Sequence, residues 1–422
     1  MHKTLVSLLL TLGAALPAGA ADDVIPPSED LDALMLADKA PAAAPKVARE
    51  WNAFLEAAVG QGRLRGAEGR VGMTRGALDV RADWALTPGL RAVFSDRLDL
   101  VDSDGVPPGE NINTLREAYL SFSLGQDLLL DFGRANIRNG AAVGFNPSDW
   151  FKTNALRSIV NPDPAVLREN RQGTVVAQVQ RLWSAASLTA AYSPRLARSA
   201  DSATFALNAG ATNPANRWLL AGSYKLGEQF SPQLLMHGGD DTPAQIGVNL
   251  STLIGDAAVA FGEFSAGKGV SLVSQALAVP APEAHQQRAA LGLTYTTSFN
   301  LSLTLEAEYN SAAPTAGQWH ALSGAAQQQL LSTAESRQDL PTRSQLFFYA
   351  SWKNLLARQL DLSGFLRRDL ETQGSAWWLE ARYHWDRAEL ALQWQVYAGS
   401  AGSLFYVVPQ QRTGQLVLRF YL

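Results

Sequence analysis

The sequence predicts an all-β fold, a transmembrane antiparallel up-and-down β-barrel of about 18 strands, with 16 to 20 allowed. Three observations predict it. The chain starts with the pattern of an export signal, many later segments alternate apolar and polar residues with a period of two, and the segments are joined by connections that are alternately short and long. Together they place the chain in a bacterial outer membrane.

The first 20 residues have the composition of a removable signal peptide. Lys3 supplies a positive start, an apolar stretch runs from Leu5 to Leu12, and Ala18-Gly19-Ala20 gives the small-residue pattern of a cleavage site before Ala21. The apolar stretch is too short for a spanning helix, which needs roughly 20 residues. Residues 21–47, rich in Ala, Pro and Asp, are interpreted as a periplasmic leader, and residues 48–422 as the barrel.

Composition excludes several classes of function. The 422 residues contain no cysteine, so disulfide frameworks, thiolate metal sites and cysteine nucleophiles are ruled out. A formal net charge of −4 leaves no basic footprint for nucleic acid. Mean hydropathy is −0.06, which is ordinary for a soluble protein. It is equally ordinary for a barrel whose strands alternate lipid-facing and lumen-facing residues.

The carboxyl-terminal 130 residues or so carry the clearest alternation. One predicted strand places Leu303 and Leu305 on its apolar face and Thr304 and Glu306 on the other, a separation that an extended chain gives and a helix does not. Five further segments repeat it, beginning near residues 345, 360, 377, 389 and 415. Strands of about nine to eleven residues, tilted, span the roughly 25 Å apolar band of an outer membrane. A soluble β-sandwich also alternates, but its strands are usually shorter.

The amino-terminal half alternates with more noise. Candidate strands there and in the centre of the chain lie at about 50–60, 78–86, 90–99, 117–124, 128–133, 173–182, 186–193, 202–210, 216–226, 231–238, 244–253, 256–264 and 287–297. The tally is near nineteen, and a single-chain bacterial barrel has an even number, which gives the figure of about 18. Long connections are expected at about 137–171, 267–285, 311–343 and 399–411.

The most distinctive stretch is Gly133-Arg134 followed by Asn146-Pro147-Ser148-Asp149. It leaves a strand, turns through glycines, and is predicted to enter a short helix capped by Ser148 or Asp149. With Arg116-Glu117-Ala118-Tyr119-Leu120 upstream, the pattern resembles an outer-membrane barrel family of porins and exporters, over roughly sixty of the 422 residues. Asn139-Gly140 stands where that family has Trp-Gly. The resemblance implies passive transport or export and brings no catalytic residues.

The loop at 137–171 is longer than a hairpin needs, so we expect it to fold into the lumen and constrict it. The residues that we expect to line the lumen or this constriction are Arg134, Arg138, Asp149, Arg168, Arg171, Glu117, Glu306, Glu308, Glu380, Arg382, Arg367 and Arg419. Further charges predicted to point inward are Asp79, Arg81, Asp83, Arg91, Arg97, Asp99, Arg288 and Asp361.

These inward charges are mixed in sign, whereas a strongly ion-selective pore uses rings of one sign. They can form an ion-pair network that stabilises the wall or a specific binding site, and the network is the preferred interpretation. Four aromatic side chains on lumen faces leave a similar choice between a stacking track for sugars and packing against an inserted segment: Phe347, Tyr349, Trp378 and Tyr397.

An enzyme is not expected. The predicted mature chain has four histidines, of which only His384 lies on a well-patterned strand, and no nucleophile and base stand at a recognisable spacing. No catalytic residue, cofactor or metal ligand is predicted. The expected function is passive or facilitated diffusion, or export, of small hydrophilic solutes. The alternative is a structural or adhesive barrel with an occluded lumen. The expected partners are outer-membrane lipid, the barrel-assembly machinery and a small solute, with a homo-oligomer also open and no nucleic acid.

Overall fold

Eighteen antiparallel strands form the protein, as seen in a computed structural model that describes residues 50–104, 110–227, 229–240 and 242–422. The first nine strands are β1 (Trp51–Leu64), β2 (Val71–Thr87), β3 (Leu90–Ser103), β4 (Asn111–Leu124), β5 (Leu128–Ala135), β6 (Thr174–Leu182), β7 (Ala186–Ser193), β8 (Arg217–Tyr224) and β9 (Gln233–Gly239). The second nine are β10 (Thr242–Ile254), β11 (Ala258–Gly269), β12 (Ala284–Thr296), β13 (Leu301–Asn310), β14 (Ser344–Trp352), β15 (Leu360–Asp369), β16 (Ser375–His384), β17 (Ala388–Ala398) and β18 (Gln410–Tyr421).

The sheet closes on itself. Each strand pairs antiparallel with its neighbours in the chain, and β1 pairs with both β2 and β18, with Leu55 opposite Phe420 in the second pairing. Closure satisfies the backbone hydrogen bonds that an open sheet would leave at its edges, a requirement for any sheet that crosses lipid. The predicted up-and-down barrel and its number of strands are confirmed.

The barrel is apolar outside and polar inside, the reverse of a soluble protein. On β13, Leu305 is 56% exposed on the outer surface whereas its neighbour Glu306 is 0% exposed. On β17, Leu392 is exposed and Gln393 is buried, as the alternation predicted. An outer surface of this kind is stable only in contact with lipid. The expected location in a bacterial outer membrane follows from this fold.

The two ends of the barrel differ. Connections at the end that holds Trp51 and Tyr421 are short, as at 88–89, 125–127 and 385–387. The long connections all lie at the other end, at 136–173, 194–216, 270–283, 311–343 and 399–409. Because outer-membrane barrels have short periplasmic turns and longer extracellular loops, the second end faces the cell exterior.

Five short helices lie in these long connections: α1 (Pro164–Glu169), α2 (Ala209–Thr212), α3 (Leu272–Ala276), α4 (Ala316–His320) and α5 (Gly324–Arg337). Among the described residues, no helix is long and apolar enough to cross a membrane. Helices α3, α4 and α5 pack together through Leu272, Trp319 and Leu330, and Leu404 of the 399–409 loop joins them. The three loops therefore form a helical cap over one side of the extracellular mouth.

Two local predictions were wrong. Residues 202–208 are a loop and residues 209 and 210 begin α2, so no strand forms there. The Asp201 carboxylate accepts a hydrogen bond from the Ala203 backbone, and Asn208 takes a left-handed conformation at φ 47°, which together fold the segment into turns. The short helix after Asp149 exists as a 3-10 turn, Trp150–Lys152, but no side chain caps it. The predicted signal peptide and the leader at 21–47 lie outside the described residues.

Candidate functional site in the barrel lumen

Residues 136–173, which connect β5 to β6, are named the inserted segment. Its backbone donates hydrogen bonds to carboxylates on the inner face of the barrel. Ala142 donates to Glu263 of β11 at 2.6 Å, and Val143 and Gly144 donate to the two oxygens of Glu306 of β13 at 2.5 and 2.8 Å. The two glutamates together accept three backbone hydrogen bonds and thereby hold this turn against the wall.

Further contacts fix the same turn. The Ser148 hydroxyl donates to Asn249 of β10 at 2.7 Å, and Arg367 of β15 donates to the Gly144 carbonyl at 3.1 Å. A Cβ at position 144 would lie 2.3 Å from the Glu308 carboxylate and 2.6 Å from the Phe347 ring. Only glycine fits so close to the wall, and the segment therefore lies directly against β13 and β14.

The end of the inserted segment reaches the other side of the barrel. Arg81 of β2 pairs with Glu169 at 3.0 Å, and Arg116 of β4 donates to Asn170 at 3.1 Å. At the start of the segment, the Asn136 backbone donates to Glu117 of β4 at 3.3 Å. Strands β4 and β13 are nine places apart in a barrel of eighteen, so they lie on opposite walls. The segment thus crosses the lumen.

An ion pair inside the segment stiffens it. Arg171 donates to Asp149 at 2.5 Å and to Gln338, just beyond α5, at 2.8 Å. Burial, together with the nearby positive charges of Arg168 and Arg138, lowers the pKa of Arg171, and Asp149 opposes this shift. Arg168 itself donates to the Gly140 carbonyl at 3.2 Å. These predicted site residues are brought together, mainly by contacts within the segment.

Lys152 was not among the predicted site residues. Its ammonium group donates to the Asn146 carbonyl at 2.7 Å and lies 4.4 Å from the centre of the Phe145 ring. Burial lowers the pKa of Lys152 to about 8. The Lys152 carbonyl accepts a hydrogen bond from Gln338 at 2.6 Å, so the 311–343 loop also supports the inserted segment, which the sequence did not suggest.

The wall formed by β16 to β18 and β1 to β4 carries a continuous group of ion pairs, named the ion-pair belt. Its members on the wall are Glu56, Arg75, Asp79, Arg81, Arg97, Asp99, Arg116, Glu380, Arg382, Glu389 and Arg419. Glu169 of the inserted segment joins the belt through Arg81. The preferred interpretation of the inward charges, a network within the wall, agrees with these contacts.

Two carboxylates are the centres of the belt. Glu56 lies 2.8 Å from Arg75, 3.0 Å from Arg97 and 2.9 Å from Arg419. Asp79 accepts hydrogen bonds from both terminal nitrogens of Arg116, at 2.6 and 2.8 Å, in the bidentate geometry that gives the strongest pairs. Sequence reasoning missed Glu56, Arg75 and Arg116 as members, although a consistent alternation along β1 and β2 places Glu56 and Arg75 on the inner face.

The belt ends near the periplasmic mouth at His384. This ring lies between Asp361, at 3.1 Å, and Glu389, at 3.2 Å. Glu389 also pairs with Arg382 at 2.5 Å and Arg419 at 3.3 Å, so the histidine is tied to the same network. Within the described residues, no group of three histidine or acidic side chains is placed to hold a metal ion.

Not every predicted residue reaches the lumen. Arg134 shares the outward face of β5 with Phe132, which is exposed, and its guanidinium donates to the carbonyls of Gly173 and Leu207 at 2.6 and 2.8 Å. It anchors the 194–216 loop outside the strand. Arg288 points inward but pairs with Asp339 of the 311–343 loop at 3.4 Å.

The lumen aromatics pack against one another and against the inserted segment. Phe347 lies 5.7 Å from Phe365, which lies 5.8 Å from Trp378, and Phe347 and Trp378 are at most 1% exposed. The Tyr349 hydroxyl donates to Asp163 of the inserted segment at 3.1 Å. Tyr397 stacks on Phe405 in the helical cap. Because the rings of Phe347 and Trp378 are covered, packing describes these aromatics better than a sugar track.

The barrel is similar to solved outer-membrane porins. It matches OccAB1 of Acinetobacter baumannii with a TM-score of 0.54 at 9% identity, over 88% of this chain and 96% of that one. It matches OccK5 (OpdH) of Pseudomonas aeruginosa with a TM-score of 0.53 at 10% identity, over 88% and 98%. OpdQ of the same organism gives 0.53 at 10% identity, over 89% and 99%.

No protein-family model matches the sequence, and no curated protein matches it. At these identities the likeness concerns the fold. It agrees with the porin-like resemblance at the level of architecture, an 18-stranded outer-membrane barrel.

Proposed function

We propose that this chain is an outer-membrane channel for the diffusion of small hydrophilic solutes, and that the inserted segment sets its constriction. One observation carries the proposal. The segment is bound to β2 and β4 at one end and to β11 and β13 at its turn, so it divides the lumen instead of lying along a single wall. A solute passing through the barrel has to pass beside it.

The space beside the inserted segment is lined by charge. Arg81 of the ion-pair belt keeps 33% of its side-chain exposure although its partner Asp79 keeps 1%. Arg419 keeps 20%. Arg81 and Arg419 of the belt therefore face the lumen, whereas Arg75, Arg97 and Arg116 are as buried as the carboxylates with which they pair. A hydrophilic solute is the class of molecule that such a wall accepts, since water and polar groups can replace its hydration.

Single-channel recording in planar lipid bilayers tests the proposal. Wild-type protein should give stepwise openings. Replacing both anchors, Glu263→Ala with Glu306→Ala, removes three backbone hydrogen bonds from the turn and should raise the conductance of each step. The matched control is Asp361→Ala, which removes a carboxylate at the periplasmic mouth that contacts His384 and not the segment.

A correctly closed barrel is recognised by its shifted mobility on gels before and after heating. A closed barrel that stays silent in the bilayer would refute the channel. A double variant that conducts like wild type would refute the constriction while leaving the channel intact.

A silent barrel would favour the second candidate, a structural or adhesive barrel with an occluded lumen. The observation on its side is the helical cap, in which Trp319 is fully buried and its indole nitrogen donates to the Gly402 carbonyl at 2.8 Å. Three extracellular loops that pack into one body form a surface suited to contacts outside the cell.

A further inference from the structure

The outer surface of the barrel carries a groove across β17, β18 and β1. It is a cavity of about 770 Å³ whose membrane side is lined by exposed Val59, Leu392, Trp394 and Leu416. Gly414 forms its floor, where a Cβ would lie only 2.7 Å from the Trp394 ring. The missing side chain on β18 makes the groove deep, and its lining is suited to a hydrocarbon chain.

Three arginines surround the extracellular end of this groove. Arg63 of β1 and Arg412 of β18 stand directly opposite each other in the strand pairing, and both are exposed on the outer face. Arg70, just before β2, donates to Gln61 of β1 at 3.2 Å. A second cavity, of about 420 Å³, continues past Arg63 and Arg412 toward Tyr397, so both arginines line one continuous depression.

Like charges directly opposite in a sheet are destabilising. Elsewhere in this barrel, arginines that meet in the lumen share carboxylates, as Arg75, Arg97 and Arg419 share Glu56. In the described part of the chain, no carboxylate lies within ion-pair distance of Arg63, Arg70 or Arg412. The three arginines therefore have no anionic partner in the described part of the protein, and an anion from outside the protein can neutralise them.

The depth of the site matches one membrane leaflet. Val59 and Arg63 are four residues apart on β1, which is about 13 Å at 3.3 Å per residue. Because strands of such barrels are tilted by roughly 40°, this is about 10 Å along the membrane normal, compared with the roughly 25 Å apolar band of an outer-membrane barrel. Val59 is the ninth of the 14 residues of β1, so the groove lies in the extracellular half of the band and the arginines lie near the level of the outer-leaflet headgroups.

We propose that this groove binds a phosphorylated glycolipid of the outer leaflet, a molecule of the lipid A class. One acyl chain lies along Val59, Leu392 and Leu416 against Trp394. A phosphate accepts hydrogen bonds from Arg63 and Arg412, whose planar guanidinium groups suit bidentate contact with phosphate oxygens. The site is on the outside of the barrel and is independent of whether the lumen conducts.

Native mass spectrometry of the full chain in detergent tests this with wild-type protein alone. Bisphosphorylated lipid A is titrated against the barrel and compared with lipid A from which both phosphates have been removed. We expect saturable retention of one lipid A molecule and at least tenfold weaker retention of the dephosphorylated lipid. Equal retention of the two lipids would overturn the proposal.

Variants then locate the site. Arg63→Ala with Arg412→Ala should weaken lipid A retention at least tenfold, and Arg63→Lys with Arg412→Lys should restore part of it. The matched control, Arg195→Ala with Arg198→Ala, removes two exposed arginines from the extracellular 194–216 loop and should leave retention unchanged. Unchanged retention in the first variant, or an equal loss in the control, would refute the assignment.

A third arm separates the lipid from a free anion. Val59→Trp fills the groove from its lipid-facing side and leaves the arginines in place. It should reduce lipid A retention, because the acyl chain loses its position. Retention that is unaffected by Val59→Trp but abolished by millimolar inorganic phosphate would show a simple phosphate site and would overturn the lipid proposal.

Discussion

Two walls of the same lumen use their charges differently. On the belt wall, from β16 through β18 and β1 to β4, arginines pair with carboxylates of neighbouring strands, as Arg97 does with Glu56 and Asp99. On the opposite wall, named the anchor wall (β10 to β14), Glu263 and Glu306 accept bonds from the backbone of the inserted segment. The charged side chains of the belt wall pair with one another, whereas the carboxyl groups of the anchor wall bind the inserted segment.

The difference separates stability from function. Removing a charged side chain from the belt leaves its buried partner without a counter-charge, which lowers the free energy of unfolding of the barrel. Removing a carboxyl group from the anchor wall releases backbone groups of the inserted segment. The segment can then move away from the wall, so its position changes more than the stability of the barrel. We therefore expect belt variants to change unfolding and anchor variants to change conductance.

The largest expected effect is on the belt. Arg97→Met removes a guanidinium shared by Glu56, Asp79 and Asp99 and should lower the free energy of unfolding by about 3–5 kcal/mol, because breaking a buried pair leaves uncompensated charge. Urea unfolding in detergent micelles measures it. The matched control is Arg91→Met on the same strand, whose pair with Asp83 has side chains 53% and 50% exposed.

Exposed pairs of this kind contribute about 0–1 kcal/mol. If Arg97→Met and Arg91→Met cost the same, burial would not be what distinguishes the belt. If Arg97→Met also changed conductance as much as Glu263→Ala with Glu306→Ala does, the separation between the two walls would fail.

The next effect depends on pH. Burial, with the negative charge of Glu380, raises the pKa of Asp163 to about 6, against opposing hydrogen bonds from Ala165 and Tyr349. The folded state therefore binds this proton more tightly than the unfolded state does. The contribution of Asp163 to stability is greatest below pH 4 and is lost as the pH rises through 6, by roughly 1.4 kcal/mol for each unit of pKa shift.

Asp163→Asn removes this titration, so the difference in unfolding free energy between variant and wild type should change with pH between 4 and 7. Urea unfolding at several values of pH in that range measures the change. A difference that stays constant would show that Asp163 titrates normally and that the start of α1 is not buried against Tyr349.

The strands could be predicted because each one carries its own signal. Leu305 and Glu306 are neighbours in sequence, and the period of two alone decides which faces lipid and which faces the lumen. Residues 202–210 show the limit of that signal: Phe205 and Leu207 are 72% and 63% exposed and alternate like strand residues, but the Asp201 side-chain bond and Asn208 turn the backbone.

The anchor wall shows a second limit. A long loop at 137–171 could be expected from its length, but its partners could not. Ala142 and Glu263 are 121 residues apart, and Val143 and Glu306 are 163 apart. No local sequence pattern connects a backbone N–H to a carboxylate more than a hundred residues away in the chain. Arg134 illustrates the converse, since a distinctive motif drew attention to a residue that supports a loop on the outer side of its strand.

The smallest expected effect comes from the hydrogen bond between two neutral side chains of the inserted segment and the anchor wall, Ser148 and Asn249. Ser148 donates to Asn249 at 2.7 Å and is 3.3 Å from Glu263, and Ser148→Ala should cost about 0.5–1.5 kcal/mol, the net value of a typical hydrogen bond. Because the turn keeps its bonds to Glu306, the segment should stay in place and the conductance should equal that of wild type. Urea unfolding and single-channel recording on the same preparation check both. A conductance change as large as that of the double glutamate variant would mean that the position of the segment depends on this hydroxyl and its partner on β10, and not on the carboxylates of β11 and β13.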